Sequence, residues 1–359
     1  MTQHCALIMA GGTGGHIFPG LAVAESLRAH GWRVHWLGGK GTSAKPSMES
    51  QLVPPLGFAV ESIEFSGVRG KGLGTLAFLP LRLLKAFWQS VQVIRRVKPD
   101  VVLGLGGYIA FPAGMMSVLL GKPLVLHEQN SVAGMVNKVL AMVADKVFTA
   151  FPNVLKNAEW IGNPLRDAFT VQPEPAARFA GRSGPLRLLV VGGSLGAKVL
   201  NSIVPQALAL LPAGQRPHVI HQSGALQIEE LRKNYQAAGV DAELTPFIDN
   251  TAQAFADADL IICRAGASTV TEIAAVGAAA LFVPFPYAVD DHQTTNAKFL
   301  VDQGGGWMEQ QSQLTPQKLS DMLQKTERTT LVNRALQAKK MQKIEATARV
   351  VAVCEELIK

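Results

Sequence analysis

A glycine-rich turn set between an apolar run and a helical pattern occurs twice in this chain, 181 residues apart, and that repeat leaves few folds open. In the first copy Ala6 to Met9 reads as a buried parallel strand. It stops at Gly11, Gly12, Gly14 and Gly15, and a helical pattern follows through Leu21, Ala24, Leu27 and Arg28. In the second copy Leu188 to Val191 leads into Gly192, Gly193, Ser194, Leu195, Gly196 and Ala197, before a helix through Leu200, Ile203 and Leu208. Such a turn lets the backbone approach a ligand and aims helix N-terminal amides at it, so an anion or a reacting oxygen can be held there. Glycine spacing alone fits a ligand-free turn equally well.

The repeat predicts two doubly wound α/β domains. Further strands are expected at Arg33 to Leu37, Val60 to Phe65, Val101 to Leu105, Pro123 to Leu126 and Lys146 to Ala150, the last of its half. The Pro, Ala, Gly and Arg-rich stretch from Gly162 to Gly184 reads as a linker. Beyond it, strands are expected near Val219 to His221, Leu260 to Cys263 and Ala280 to Val283, and helices at Ser268 to Val276, Gln293 to Gln303 and through the tail from Leu331 to Lys359. From Leu81 onward Arg82, Lys85, Gln89, Gln92 and Arg96 form one stripe and Leu84, Trp88, Val91 and Ile94 the opposite one. This is an amphipathic helix with a largely basic polar face.

A length of 359 residues suits two domains, and no run is apolar enough for a signal peptide or a membrane span, so the chain is expected to stay in the cytoplasm. Cys5, Cys263 and Cys354 are unclustered, which suits reduced thiols rather than a disulfide framework or a zinc site. The net charge of +7 lies entirely in the first half. Residues 1–163 hold 15 Lys or Arg against 8 Asp or Glu, and the remainder holds 19 of each. Such a half can meet nucleic acid, an anionic membrane or an anionic substrate, or can simply be solvated. The crowd of Leu73, Leu76, Phe78, Leu79 and Leu81 beside Arg69 and Lys71 favours a membrane headgroup region.

Open α/β sheets bind ligands outside the carboxyl ends of their strands, and the polar clusters of this chain fall there. His16 follows the first glycine turn, Tyr108 follows Gly106 and Gly107, and His127 to Asn130 close another strand; Arg264, Ser268, Thr269 and Glu272 follow Cys263. A nicotinamide dehydrogenase is disfavoured, because Leu37, Gly38, Gly39 and Lys40 offer no acid for a ribose hydroxyl. A P-loop is absent, since no glycine turn runs into Lys and Ser or Thr. Asp257 and Asp259 spell D-x-D, a metal-binding spacing, but precede their strand and are expected to be turn and surface residues.

Six motifs then add up. MAGGTGGHIFPG near the N-terminus, GGYIAFPAG at 106–114, HEQN at 127–130, GNPLR at 162–166, VVGGSLGA at 190–197 and CRAGASTVTE at 263–272 together resemble the MurG family, the peptidoglycan N-acetylglucosaminyltransferases that convert lipid I to lipid II. The resemblance implies a GT-B fold of two Rossmann-like domains facing a central cleft. It divides the chain into an acceptor and membrane-binding domain at 1–163 and a UDP-sugar domain at 164–342, with the helix at about 343–359 packing back on the first. It implies an inverting, metal-independent transfer from UDP-N-acetylglucosamine to the C4 hydroxyl of the muramyl sugar of lipid I.

By motif, donor contacts fall on Thr13, Gly14, Gly15, Asn130, Arg166, Ser194, Ile248, Ala267, Ser268, Thr269, Val270, Thr271, Glu272 and Gln293. The acceptor pyrophosphate falls on Gly14, Gly15, Gly106, Gly107 and Tyr108, and membrane contact on Arg69, Lys71, Leu76, Phe78 and Leu79. His16 is the first candidate for the catalytic base and Glu128 the second. No cofactor or metal is expected, and no nucleic acid partner. The expected partners are UDP-N-acetylglucosamine, lipid I, the anionic cytoplasmic face of the inner membrane and other cell-wall synthesis proteins. Departures from the family pattern are His292 where a glutamine is common, Leu195 in the second turn, and the loop at Gly41 to Met48. A UDP-sugar epimerase and a non-catalytic sugar-nucleotide-binding subunit share the fold and the donor.

Overall fold

A computed structural model describes residues 3–41, 46–65, 67, 78–193 and 196–358. They form two compact units, Met1–Arg166 with Ile344–Lys359, and Asp167–Lys343.

In the first unit β1 (Cys5–Met9) enters α1 (Gly14–Ala29). There follow β2 (Arg33–Gly39), α2 (Met48–Leu52), β3 (Ala59–Ile63), α3 (Leu79–Val97), β4 (Val101–Gly104), α4 (Ala110–Leu119), β5 (Leu124–Glu128), α5 (Met135–Leu140), β6 (Lys146–Thr149) and β7 (Glu159–Trp160). The sheet has seven strands in the order β3-β2-β1-β4-β5-β6-β7, and all its pairs are parallel. Every residue of β1 is buried, as a parallel strand covered on both faces requires.

The second unit starts with α6 (Asp167–Thr170) and α7 (Pro175–Phe179). It continues through β8 (Arg187–Val191), α8 (Lys198–Ala209), β9 (His218–Gln222), α9 (Ile228–Ala238), β10 (Glu243–Thr245), α10 (Thr251–Asp257), β11 (Leu260–Cys263), α11 (Ala267–Val276), β12 (Ala280–Phe282), α12 (His292–Val301), β13 (Gly306–Met308), α13 (Pro316–Lys325) and α14 (Arg328–Lys340). Its six parallel strands run β10-β9-β8-β11-β12-β13. Each sheet therefore reverses direction next to its own first strand, between β1 and β4 and between β8 and β11. That switch point is where such sheets hold ligands.

The last helix, α15 (Ala346–Glu356), returns to the first unit. Its Val350, Val351, Val353 and Cys354 join the core built from Ala24, Leu27 and Trp32. Glu159 of β7 fastens it, accepting from Arg349 at 2.9 Å and from Lys146 at 2.7 Å, which holds the Glu159 carboxyl down at about 2. All three cysteines are free and buried.

Several local expectations need correcting. Lys146 to Ala150 is not the last strand of its half, because the short β7 extends the sheet edge. The stretch read as a linker carries α6 and α7, anchored by Arg178 to the carbonyls of Ala256 and Val276. The tail is two helices parted at residues 341–345, where the chain leaves the second unit for the first.

The apolar face expected of α3 is met only in part. Ile94 is buried as expected, together with Ala86, Ser90, Val93 and Val97, while Leu84 and Trp88 are 64% and 61% exposed. Small residues decide this: Ala86 and Ser90, whose hydroxyl donates to the Ala86 carbonyl at 2.7 Å, let the helix close against the sheet. The basic stripe is largely paired. Lys85 bonds Glu64, Arg96 bonds Glu61, and Gln89 accepts from the Glu64 amide.

Asp259 is no surface residue. It is fully buried and accepts from Arg182 at 2.7 Å, Arg328 at 3.1 Å and the Arg187 amide at 2.9 Å.

Candidate active site

In the first unit the switch point gathers three strand ends. The Leu105 amide donates to the Met9 carbonyl, and a Cβ on Gly107 would stand 2.7 Å from the Gly11 carbonyl oxygen, so the two glycine turns touch. Gly12, Gly106 and Gly107 all adopt positive φ, which only glycine takes cheaply. Thr13 is the extended cap of α1, and the amides of Gly14 and Gly15 lie in the first helical turn, where no intrahelical acceptor exists. His16 sits one residue further on. Its Nδ1 lies 2.7 Å from Gln129 Oε1, and its ring occupies the space that a side chain on Gly106 would fill.

Below this edge Glu49, which is 2% exposed, accepts from the amides of Gly39 at 2.8 Å and Gly12 at 3.3 Å. It thereby ties α2 and the end of β2 to the glycine turn. Gly11 and Gly38 make room for it, since a Cβ on either would come within 2.7 Å of its side chain.

The HEQN run divides its labour. Glu128 is also 2% exposed, and its two oxygens accept from the Asn130 and Gly134 amides at 2.9 and 3.1 Å and from Asn137 Nδ2 at 2.9 Å. His127 and Gln129 are buried beside it, the former bonded through Nε2 to the Gly162 carbonyl at 2.8 Å. Tyr108 is half-exposed and covers Gly67, and the Arg166 guanidinium lies over the Phe18 ring of α1 at 5.3 Å.

In the second unit Gly192 and Gly196 keep their turn closed. A Cβ on Gly196 would lie 1.8 Å from the Ser223 carbonyl oxygen. The α11 run splits by helical period: Ala267, Val270 and Thr271 face the core, whereas Ser268, Thr269 and Glu272 remain partly exposed. Core-facing residues at its start still contribute backbone amides, and Ser268 Oγ is shielded with no hydrogen-bond partner among the described residues. Gln293 Oε1 accepts from the Phe285 amide at 2.9 Å and the Ala265 amide at 3.2 Å, pinning the loops that follow β12 and β11. Arg264 supports the same loops through the Val283 and Pro284 carbonyls and Gln311. The Ile248 carbonyl accepts from Thr251 at 3.2 Å, and α12 begins at His292, whose Nδ1 meets the Val289 carbonyl.

Of the sequence-derived site residues, the structure brings together Thr13, Gly14, Gly15, His16, Gly106 and Gly107 in the first unit, and the α11 start with Gln293 in the second. Ser194, Arg69, Lys71 and Leu76 lie outside the described residues. Of the remaining membrane-contact residues, Phe78 is 63% exposed and Leu79 half-buried. The sequence places His127 and Gln129 in the HEQN cluster without their supporting roles, and gives no sign of Glu49. Glu49 sits in the first turn of α2, His127 inside β5 and Gln129 just past its end, each a buried polar side chain.

Among the described residues no helix is long and apolar enough to cross a membrane, and no group of three His, Cys, Asp or Glu residues converges.

The glycosyltransferase family 28 N-terminal domain matches residues 6–149, and the family's C-terminal domain matches residues 187–352. A protein of Polaromonas naphthalenivorans is 81% identical over 355 residues, 99% of each chain, and one from a second Polaromonas strain is 80% identical over 98% of this chain and 91% of its own. Both carry the name UDP-N-acetylglucosamine–N-acetylmuramyl-(pentapeptide) pyrophosphoryl-undecaprenol N-acetylglucosamine transferase. The crystal structure of Acinetobacter baumannii MurG is 39% identical, with a TM-score of 0.85 over 99% of this chain and 100% of that one.

Proposed function

We propose how this chain works from the premise that it belongs to glycosyltransferase family 28, among the transferases that move N-acetylglucosamine from its UDP donor to undecaprenyl-pyrophosphoryl-N-acetylmuramyl-pentapeptide. The chain is such a transferase. We read its reaction as one inverting displacement: the C4 hydroxyl of the muramyl sugar attacks C1 of N-acetylglucosamine as UDP leaves.

The observation that carries this reading is the placement of His16. It stands at the switch point of the first sheet, one residue past a glycine turn, with its imidazole held through Nδ1 by Gln129. A base there reaches an acceptor hydroxyl whose pyrophosphate rests against the first-turn amides of α1. Glu128 is the weaker candidate, because its oxygens are enclosed by loop donors. We assign it to holding the loop that carries Asn130.

For the donor we assign the start of α11 and Glu272 to the sugar nucleotide, with Glu272 on ribose hydroxyls and Ile248 offering backbone groups to uracil. As the C1–O bond breaks, the departing diphosphate gains one negative charge, which we assign helix amides and Arg166 to neutralise. We assign no resident metal to this step. In support, Asp259, the inner residue of the D-x-D pair, is committed to Arg182 and Arg328.

We place the protein peripherally on the cytoplasmic face of the inner membrane. In support, Phe78 at the N-cap of α3 and Leu81, Leu84 and Trp88 on it form an exposed apolar stripe fit to enter the headgroup region. The test of the catalytic assignment is His16→Ala, which should retain UDP-N-acetylglucosamine binding and lose about 100-fold or more in kcat. Near-normal turnover would remove His16 from the base position.

A further inference from the structure

Two backbone carbonyls fix the protons of three side chains at the edge of the first sheet. Gln129 is 1% exposed and lies between two imidazoles, with its Nε2 2.8 Å from the His127 carbonyl oxygen. A carbonyl can only accept, so the atom facing it is the amide NH2, and Oε1 must be the atom facing His16. An amide oxygen donates nothing. At 2.7 Å from it, His16 Nδ1 therefore carries a proton.

The far side closes the same way. His127 Nε2 lies 2.8 Å from the Gly162 carbonyl and must donate to it. Its Nδ1 then keeps a lone pair, which accepts the second amide proton of Gln129 at 3.0 Å. Full burial pushes His127 down to about 4, so the ring stays neutral at working pH and that lone pair persists.

We propose that Gln129 is a positioning residue that, held by His127, keeps His16 in the Nδ1–H tautomer and so leaves Nε2 as the nitrogen that takes the acceptor proton. The inference rests on His16 being the base. As the acceptor oxygen bonds to C1, its O–H bond breaks and the proton passes to Nε2, while the electron pair of the C1–O bond leaves with UDP. The imidazolium then returns its proton to solvent. The partner that orients His16 is thus a neutral amide and not a carboxylate.

The test combines nitrogen-15 spectra of the histidine imidazoles with steady-state kinetics on the full chain. In the native protein the neutral His16 ring should show a protonated Nδ1 and a bare Nε2. Gln129→Met removes both bonds, and Gln129→Asn keeps a buried amide too short to span the two rings. Each should convert His16 to a tautomer mixture and lower kcat about 10- to 100-fold, with KM for UDP-N-acetylglucosamine unchanged. A native ring protonated at Nε2, or variants that keep the Nδ1–H tautomer and normal kcat, would overturn the proposal. His16→Ala separates the two ideas: if it keeps its turnover, the base assignment fails, while the spectra still report on the tautomer.

Discussion

Gly106 and His16 compete for the same space: a Cβ on Gly106 would stand 2.9 Å from both Cε1 and Nδ1 of the imidazole. The backbone of Gly106 also has φ of 104°, where an L side chain is strained by about 1–3 kcal/mol. Gly106→Ala should therefore displace the base as well as destabilise the first unit. We expect kcat to fall at least 10-fold with donor KM little changed, read by initial-rate kinetics beside a thermal melt. An unchanged kcat would mean that the ring does not need its present seat.

The ion cluster around Asp259 yields a stability prediction for the second unit. Removing one partner from a buried pair leaves the other charge uncompensated, at a cost of about 3–5 kcal/mol. Asp259→Ala should approach that loss in denaturant unfolding, since two arginines and the Arg187 amide lose their acceptor together. A loss below 1 kcal/mol would fit a surface aspartate and contradict this placement.

Buried histidines set the acid limit. Burial holds His127 down to about 4 and His221, packed between Tyr235 and Asn201, down to about 3. Both values lie below the unfolded 6.5. Their contribution is therefore complete above pH 6.5 and is lost as pH falls toward those values, with a penalty when fully expressed on the order of 3 kcal/mol for His127 and on the order of 5 kcal/mol for His221. The urea midpoint should drop steadily from pH 7 to pH 4, and His221→Gln should flatten that slope. An identical slope in the variant would show that His221 is not buried neutral.

The exposed stripe on α3 predicts a separable membrane function. Leu81→Ser, Leu84→Ser and Trp88→Ser combined remove large apolar surface without touching the buried face of α3. Binding to vesicles containing anionic lipid should fall about 10-fold or more, while the melting temperature stays within a few degrees. Intact vesicle binding would move the contact elsewhere.

How much of this was legible beforehand depended on how local the cause was. Both glycine turns follow from apolar runs ending in glycine, strands such as Leu260–Cys263 follow from a short apolar run alone, and the structure has them there. The α3 faces were misread because periodicity shows that a helix is two-sided but does not say which side packs. Ala86 and Ser90 settled that through close approach to the sheet. Asp259 was misread because its partners, Arg182 and Arg328, are 77 and 69 residues away. At the site, the motifs located His16, but Gln129 and Glu49 act by contacts across the fold, 113 and 37 residues from the groups they hold.

The most direct measurement is transfer of radiolabelled N-acetylglucosamine from its UDP donor to a short-chain lipid I analogue, with EDTA present and no added metal. Our account predicts a lipid II product and stoichiometric UDP release, at a rate that chelation does not change. Donor binding without product would contradict it, as would activity that appears only when a divalent cation is restored.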